Sequence, residues 1–239
     1  MTHQTPPEHF QGKSVTEHLR DARRKGATAS GEIHGEDLPS HLNESLSACS
    51  YMALALLLLW LMGLSEKALA LFALGFLIWM AGSTALRAWA KMERLHRLIE
   101  EERWEIEHHR AQEREELSEL YAAKGFSGKL LEEVVDVLMA DDNRLLKVML
   151  EEELGLSLER EPHPLKLAFS TALGGVVAAL LLFLGAKLWP AAGVPLVALL
   201  LIAGSALFTA RWDKRRSLNA LIWHLALALF ATASVYFLL

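Results

Sequence analysis

The sequence predicts an all-α membrane protein: five transmembrane helices, with a cytoplasmic three-helix insert between helices 2 and 3. Three observations carry this reading. Hydrophobic residues form 52% of the chain and charged residues 22%, and the two kinds are segregated, with apolar runs after Leu46 and after Leu165. Each apolar run is about 20 residues long, the length of helix that a bilayer core requires. The runs come in pairs joined by short turns, which leaves too little polar surface for a soluble fold. Only a helix satisfies the backbone internally within lipid over such lengths, short of a closed barrel.

The elements follow in order. Residues 1–42 are a polar leader. The first long apolar run begins about 45 residues in, too late for a secretory signal. Within the leader, Val15 to Lys25 can form a short amphipathic helix on the membrane face. The leader's histidines (His3, His9, His18, His34 and His41) are irregularly spaced, as in a mobile leader rather than a metal site. Residues 43–88 hold the first two spans, Ser45 to Leu64 and Ala68 to Leu86, with Ser65, Glu66 and Lys67 as the turn. Residues 89–164 form the insert. Residues 165–239 hold span three (Leu165 to Ala186), a Lys187–Pro190 turn with an interfacial Trp189, span four (Ala191 to Ala210), a basic link Arg211–Arg216, and span five (Ser217 to Leu239).

Lys and Arg placement orients the chain, because cytoplasmic loops carry the positive excess. The leader has Arg20, Arg23, Arg24 and Lys25; the insert opens with Arg87, Lys91, Arg94 and Arg97; the third basic segment is the link after span four. All three fall on one side of an alternating bundle. The opposite turns hold only Lys67 and Lys187. The amino terminus and the insert are therefore expected in the cytoplasm and the carboxyl terminus across the membrane.

Composition excludes several classes. A net charge of −5 offers no basic surface for nucleic acid. The single Cys49 excludes an internal disulfide, and in its apolar run it reads as structural. No nucleophile–base pair, phosphate loop or redox cofactor motif is present, so neither an enzyme nor a prosthetic group is expected.

The insert is helical by pattern. Trp89 to Glu119 continues span two, and its helix ends near Lys124 with Gly125 as C-cap. Ser127 is placed to cap a second helix with Leu130, Leu131, Val134, Val135, Leu138 and Met139 at helical spacing. Asp141 or Asp142 caps a third, containing Leu145, Leu146, Met149 and Leu150. Gly155 closes it. Pro162 and Pro164 then prevent helix and reset the chain for span three.

The carboxylates of the insert are patterned. On one continuous helix Glu102, Glu105, Glu113 and Glu116 fall within an arc of roughly 80°, with His109 in the same arc. If the helix breaks between His108 and Gln112, the two Glu pairs face each other across a turn instead. Either way four like charges repel unless protons or cations neutralise them, and a divalent cation lets several oxygens share one ion. A second set, Met149, Glu152 and Glu153, lies on the third helix, with Met149 and Glu153 one turn apart. A thioether beside carboxylates suits Fe²⁺, Mn²⁺, Co²⁺ or Zn²⁺ better than Mg²⁺ or Ca²⁺. The plainer roles are a solvated Glu-rich face and a core Met149, and neither an EF-hand loop nor a Cys/His zinc pattern occurs.

From Glu102 onward the chain reads E-x-x-E, then E-x-x-E-L, ELYAAKGFS, EEVVDVLMADD and ML-EEELGL, followed by EPHPLKLAFSTALGG leading into span three. This pattern resembles the vacuolar iron transporter family, and the resemblance extends over about Leu42 to Leu239. It implies a five-span homodimer with its pore between subunits. It also implies movement of Fe²⁺, and often Mn²⁺, out of the cytoplasm in exchange for protons. Carried over by position, the metal-binding residues are Glu102, Glu105, Glu113, Glu116, Met149 and Glu153; the second family Met is Leu150 here. The pathway residues are Asn43, Glu44 and Met80. Two departures stand out. The first span reads Asn43-Glu44-Ser45 where the family has an Asn-Asp-Gly-like motif, and no Glu follows Met80-Ala81-Gly82-Ser83-Thr84-Ala85 in span two. Ionisable groups within a bilayer usually mark an ion route, and His224 in span five is the clearest one here, read as a proton carrier or a helix–helix hydrogen bond.

The leading expectation is thus a divalent transition-metal transporter whose substrate is Fe²⁺, or Mn²⁺ or Zn²⁺, with metal ions, lipid and a second copy as partners. The alternatives are a degenerate relative that binds metal without moving it, as buffer or sensor, and a structural membrane protein whose insert docks a partner.

Overall fold

The computed structural model describes residues 38–152 and 162–238. The leader helix at Val15 to Lys25, the leader histidines other than His41, Glu153 and Gly155 lie outside the described residues. The described chain forms eight helices and no strand: α1 (Ser40–Leu61), α2 (Glu66–His108), α3 (Arg110–Ala123), α4 (Gly128–Met139), α5 (Asp142–Glu152), α6 (Pro164–Leu188), α7 (Gly193–Trp212) and α8 (Ser217–Leu238). Five of them, α1, α2, α6, α7 and α8, are long and apolar enough to cross a bilayer. The chain is an integral membrane protein. It divides into two compact units, one containing His34–Trp89 and Pro162–Leu239 and the other containing Ala90–Glu161; α2 contributes to both.

In the membrane unit α1 is the central element, packed against α6 and α7 and more lightly against α8. Its buried residues, Ala48, Met52, Ala53, Leu56 and Leu57, form one stripe at helical spacing. In lipid the hydrophobic effect does not drive helices together, so close backbone approach must supply the attraction. Gly174 provides it: a Cβ there would overlap the Ser45 carbonyl of α1. Ala178, one turn on, is fully buried. At the tight α6–α7 turn Gly185 and Gly193 are pressed backbone to backbone. A 2.6 Å hydrogen bond between Ser50 and Ser205 ties α1 to α7. Span two instead meets the bundle through side chains, with Leu69, Ala73, Leu77 and Met80 reaching its core. On α8 only Ala228 is buried, and Trp223, Phe230 and Phe237 present apolar surface, as lipid-facing residues do.

Several boundaries differ from the sequence reading. Span one begins at Ser40, where Pro39 occupies the N-cap and the preceding Leu38 N–H donates to Asp213 Oδ1 at 3.2 Å. It ends at Leu61 rather than Leu64, because Gly63 turns left-handed at φ 72°, a conformation that glycine adopts without steric cost. Pro164 opens span three instead of only breaking what precedes it. It sits at the first helical position, where its missing N–H costs nothing, and His163 Nδ1 accepts from Leu165 N–H at 3.2 Å. Span four lies two residues later than expected, after the Gly185–Gly193 contact.

Substituting Gly174→Ala forces the α1–α6 backbones apart and is expected to cost about 1–3 kcal/mol through overpacking. Gly204→Ala, which meets nothing within 4 Å, serves as the control. Thermal unfolding in detergent checks this, with G174A melting several degrees lower and G204A unchanged or higher.

Candidate metal centre

The helical insert is built from the end of α2 with α3, α4 and α5. Span two does run on unbroken, as its sequence predicts, but only to His108. His109 leaves the helix at φ −124°, ψ 30°, and α3 starts at Arg110. The His109 N–H still donates to the Glu105 carbonyl at 2.7 Å, while its own carbonyl accepts from Gln112 and Glu113. Trp104 stacks on His108 at 4.4 Å and meets His109 edge-on at 5.4 Å. The single helix from Trp89 to Glu119 is therefore corrected to two. The single 80° arc of glutamates goes with it. Of the two geometries the sequence allows, the Glu pairs stand on separate helices with the break between them. Leu117 and Met149 are packed in one cluster with Ile106, Val135 and Leu145.

The break turns α3 so that its buried face is Glu113, Glu116, Leu117 and Leu120. Glu113 and Glu116 are 0% exposed and Glu102 4%; Glu105 is half-buried. Met149 is fully buried. The basic residues of α3 face the other way and clasp the neighbouring helices. Arg110 pairs with Asp142 at 2.6 Å and donates to the Met139 carbonyl at 2.5 Å; Arg114 pairs with Asp136 at 2.5 Å. Lys124 pairs with Glu152. Asp141, of the two candidates, caps α5, its Oδ1 accepting from Arg144 N–H at 2.9 Å. Ser127 makes no side-chain cap bond to α4.

Burial sets the electrostatics. The Glu116 carboxyl is pushed up to about 8, first by removal from water and then by the charges of Glu105, Glu115 and Glu119. Glu105 on α2 and Glu116 on α3 thus feel each other across the break. At neutral pH such a group holds a proton unless a cation takes its place. Glu102, Glu105, Glu113, Glu116 and Met149 all belong to this one helical unit. Glu153 lies outside the described residues, and among the described residues no three His, Cys, Asp or Glu side chains already stand in metal-binding geometry. The sequence reading missed Gln112, whose Oε1 is buried with no hydrogen-bond partner among the described residues.

The proposed pathway residues belong to the membrane unit. Asn43 is exposed. Glu44 accepts from Thr84 Oγ1 at 3.3 Å and lies 3.9 Å from Arg87. Met80 is buried, and its methyl joins that of Met52 over the bare backbone of Gly175. Met52, Thr84 and Thr171 were not singled out from sequence, and Arg87 only as a basic residue that orients the chain. The hint available was a pair of threonines within apolar spans. His224 is exposed, with Nδ1 2.8 Å from the Ala220 carbonyl of its own helix; the expected helix–helix bond is an intrahelical one.

The sequence profile of the VIT family matches residues 78–238. No curated protein matches the chain.

A carboxyl whose pKa is higher folded than unfolded binds its proton more tightly when folded. Its contribution to stability is complete below the unfolded value near 4.5 and is lost as pH rises through about 8. The metal-free protein is expected to melt at lower temperature as pH is raised from 5 to 8. Glu116→Gln should flatten that slope. Mn²⁺ binding should strengthen over the same interval and release protons, measurable by titration calorimetry in buffers of different ionisation enthalpy.

Proposed function

The chain belongs to the VIT family, a family of membrane metal-ion transporters, and from that premise we propose that it exports divalent transition-metal ions from the cytoplasm. Fe²⁺ is the first substrate and Mn²⁺ the second, moved in exchange for protons. The insert captures the ion on the cytoplasmic side and delivers it to the membrane unit. One observation carries this reading: three glutamates, Glu102, Glu113 and Glu116, and Met149 are each buried within one small helical unit. Carboxylates withdrawn from water are costly unless neutralised. The mixture of hard oxygens and one soft sulfur favours a first-row transition ion over Mg²⁺ or Ca²⁺.

Orientation rests on the basic residues of the insert and of the α7–α8 link, which share one side of an alternating bundle. A homodimer is consistent with the apolar surfaces of α2 and α8, where Trp79, Leu86, Trp223 and Phe237 are exposed. A metal-binding protein that does not transport draws on the membrane unit itself, where Glu44 faces Arg87 and Met80 is buried.

Proteoliposomes holding the purified full chain are expected to accumulate Fe²⁺ and Mn²⁺ under a pH gradient. Changing Glu102, Glu105, Glu113 and Glu116 together to Gln should weaken metal binding by about tenfold or more, the scale on which altered metal sites lose affinity. Uptake at low metal concentration should fall with it. Binding without flux would leave the non-transporting alternative standing; neither binding nor flux would sink both.

A further inference from the structure

Several hydroxyls within the spans are satisfied by their own helix. Ser83, Thr209, Thr232 and Ser234 donate to carbonyls three or four residues back, a usual solution in lipid, and of Ser50 and Ser205 one donates to its own helix and the other to its partner hydroxyl. Thr84 and Thr171 donate across helices instead. Thr171 Oγ1 on α6 donates to Thr84 Oγ1 on α2 at 3.3 Å, and Thr84 Oγ1 donates to Glu44 Oε2 on α1 at 3.3 Å. Both threonines are buried, at 2% and 4% exposure. Three helices thus converge two hydroxyls and a carboxylate. The arrangement is held in register by the Gly174–Ser45 backbone contact, one residue along from Glu44 and three from Thr171.

A carboxylate with two hydroxyls is an oxygen-only set suited to a hard or borderline divalent cation. Its charge is met by a guanidinium. Arg87 Nη2 donates to Thr84 Oγ1 at 3.0 Å and lies 3.9 Å from Glu44 Oε2. The Arg87 side chain is 66% exposed and that of Glu44 33%, so the long arginine stem has room to swing away while the oxygens stay in place. An ion pair this long and this exposed is weak, which makes it exchangeable.

We propose that Arg87 is a tethered counter-ion that competes with the transported divalent cation for Glu44. The ion takes the Glu44, Thr84 and Thr171 oxygens as the guanidinium leaves them, so Arg87 sets the concentration at which the membrane unit loads. This deepens the transport reading and rests on it for its physiological meaning. The exchange itself can be read without flux.

Two measurements on the full chain test it. In detergent, phenylglyoxal labelling of Arg87, read by peptide mass spectrometry against Arg216 as reference, should rise on addition of Mn²⁺. In Glu44→Gln labelling should be high from the start and indifferent to Mn²⁺. In proteoliposomes Arg87→Met should lower the KM for Mn²⁺ about two- to fivefold, the range an exposed ion pair supports, and by more than it changes kcat. Arg87→Lys, which keeps the charge, should stay near the wild-type KM. Labelling of Arg87 that ignores both Mn²⁺ and the Glu44 substitution overturns the proposal, as does an R87M protein that folds and shows an unchanged or raised KM. A wild-type chain with Mn²⁺-sensitive labelling but no uptake supports the exchange and sinks the transport reading.

Discussion

The burial of like-charged carboxylates in a helical core is the constraint on which the insert depends. Glu113 and Glu116 occupy positions that the spacing of Leu117 and Leu120 assigns to the interior of α3. A leucine at either position would satisfy packing at no electrostatic cost. Carboxylates there oppose the fold unless something neutral or positive accompanies them, and burial with neighbouring charge already lifts Glu116 to about 8. A protein that folds around such groups has part of its stability tied to what binds them. Through Glu116 the stability of the insert is therefore sensitive to pH.

The rest of the insert is arranged so that the glutamates keep this position. Arg110 and Arg114, on the same helix as Glu113 and Glu116, would neutralise them if they turned inward. Each is held instead by an aspartate on α4 or α5. Exposed pairs of this kind add little stability singly. Their larger effect here is directional, since they commit the arginines to the outer face. The break at His109 acts in the same sense. It puts the α3 pair of glutamates on a separate helix from Glu102 and Glu105, and Trp104 packs on His108 and His109 at that point.

Much of this was legible in the sequence. Five apolar runs gave five spans, and in the insert Gly125 and the Asp141–Asp142 pair marked helix ends. Of the four glutamates that the carboxylate spacing singled out, Glu102, Glu113 and Glu116 are buried and Glu105 is half-buried. What the spacing could not settle was whether the helix stays straight, because no proline or glycine marks the break at His109. Boundaries moved where a terminal residue serves the helix rather than ends it, as Pro164 does at the first turn. The Glu44–Thr84–Thr171 group was invisible for a different reason. Its members are scattered over three spans, and only the fold brings them together.

The membrane unit shows what replaces hydrophobic driving force in lipid. Where backbones touch, at Gly174 against Ser45 and Gly185 against Gly193, dispersion and geometry hold the helices. Where they stand further apart, as α2 does, methionine and leucine side chains fill the gap, Met52 and Met80 over Gly175 among them. Polar groups sort themselves by the same distances. Hydroxyls far from a neighbouring helix turn back to their own carbonyls, whereas those close to one, such as Ser50 and Ser205, can reach across. The close α1–α6 contact therefore does two things at once. It fixes the bundle, and it lies three residues from Thr171, whose hydroxyl reaches Thr84 across helices. A glycine chosen for packing is in this way also a determinant of where an ion could be held.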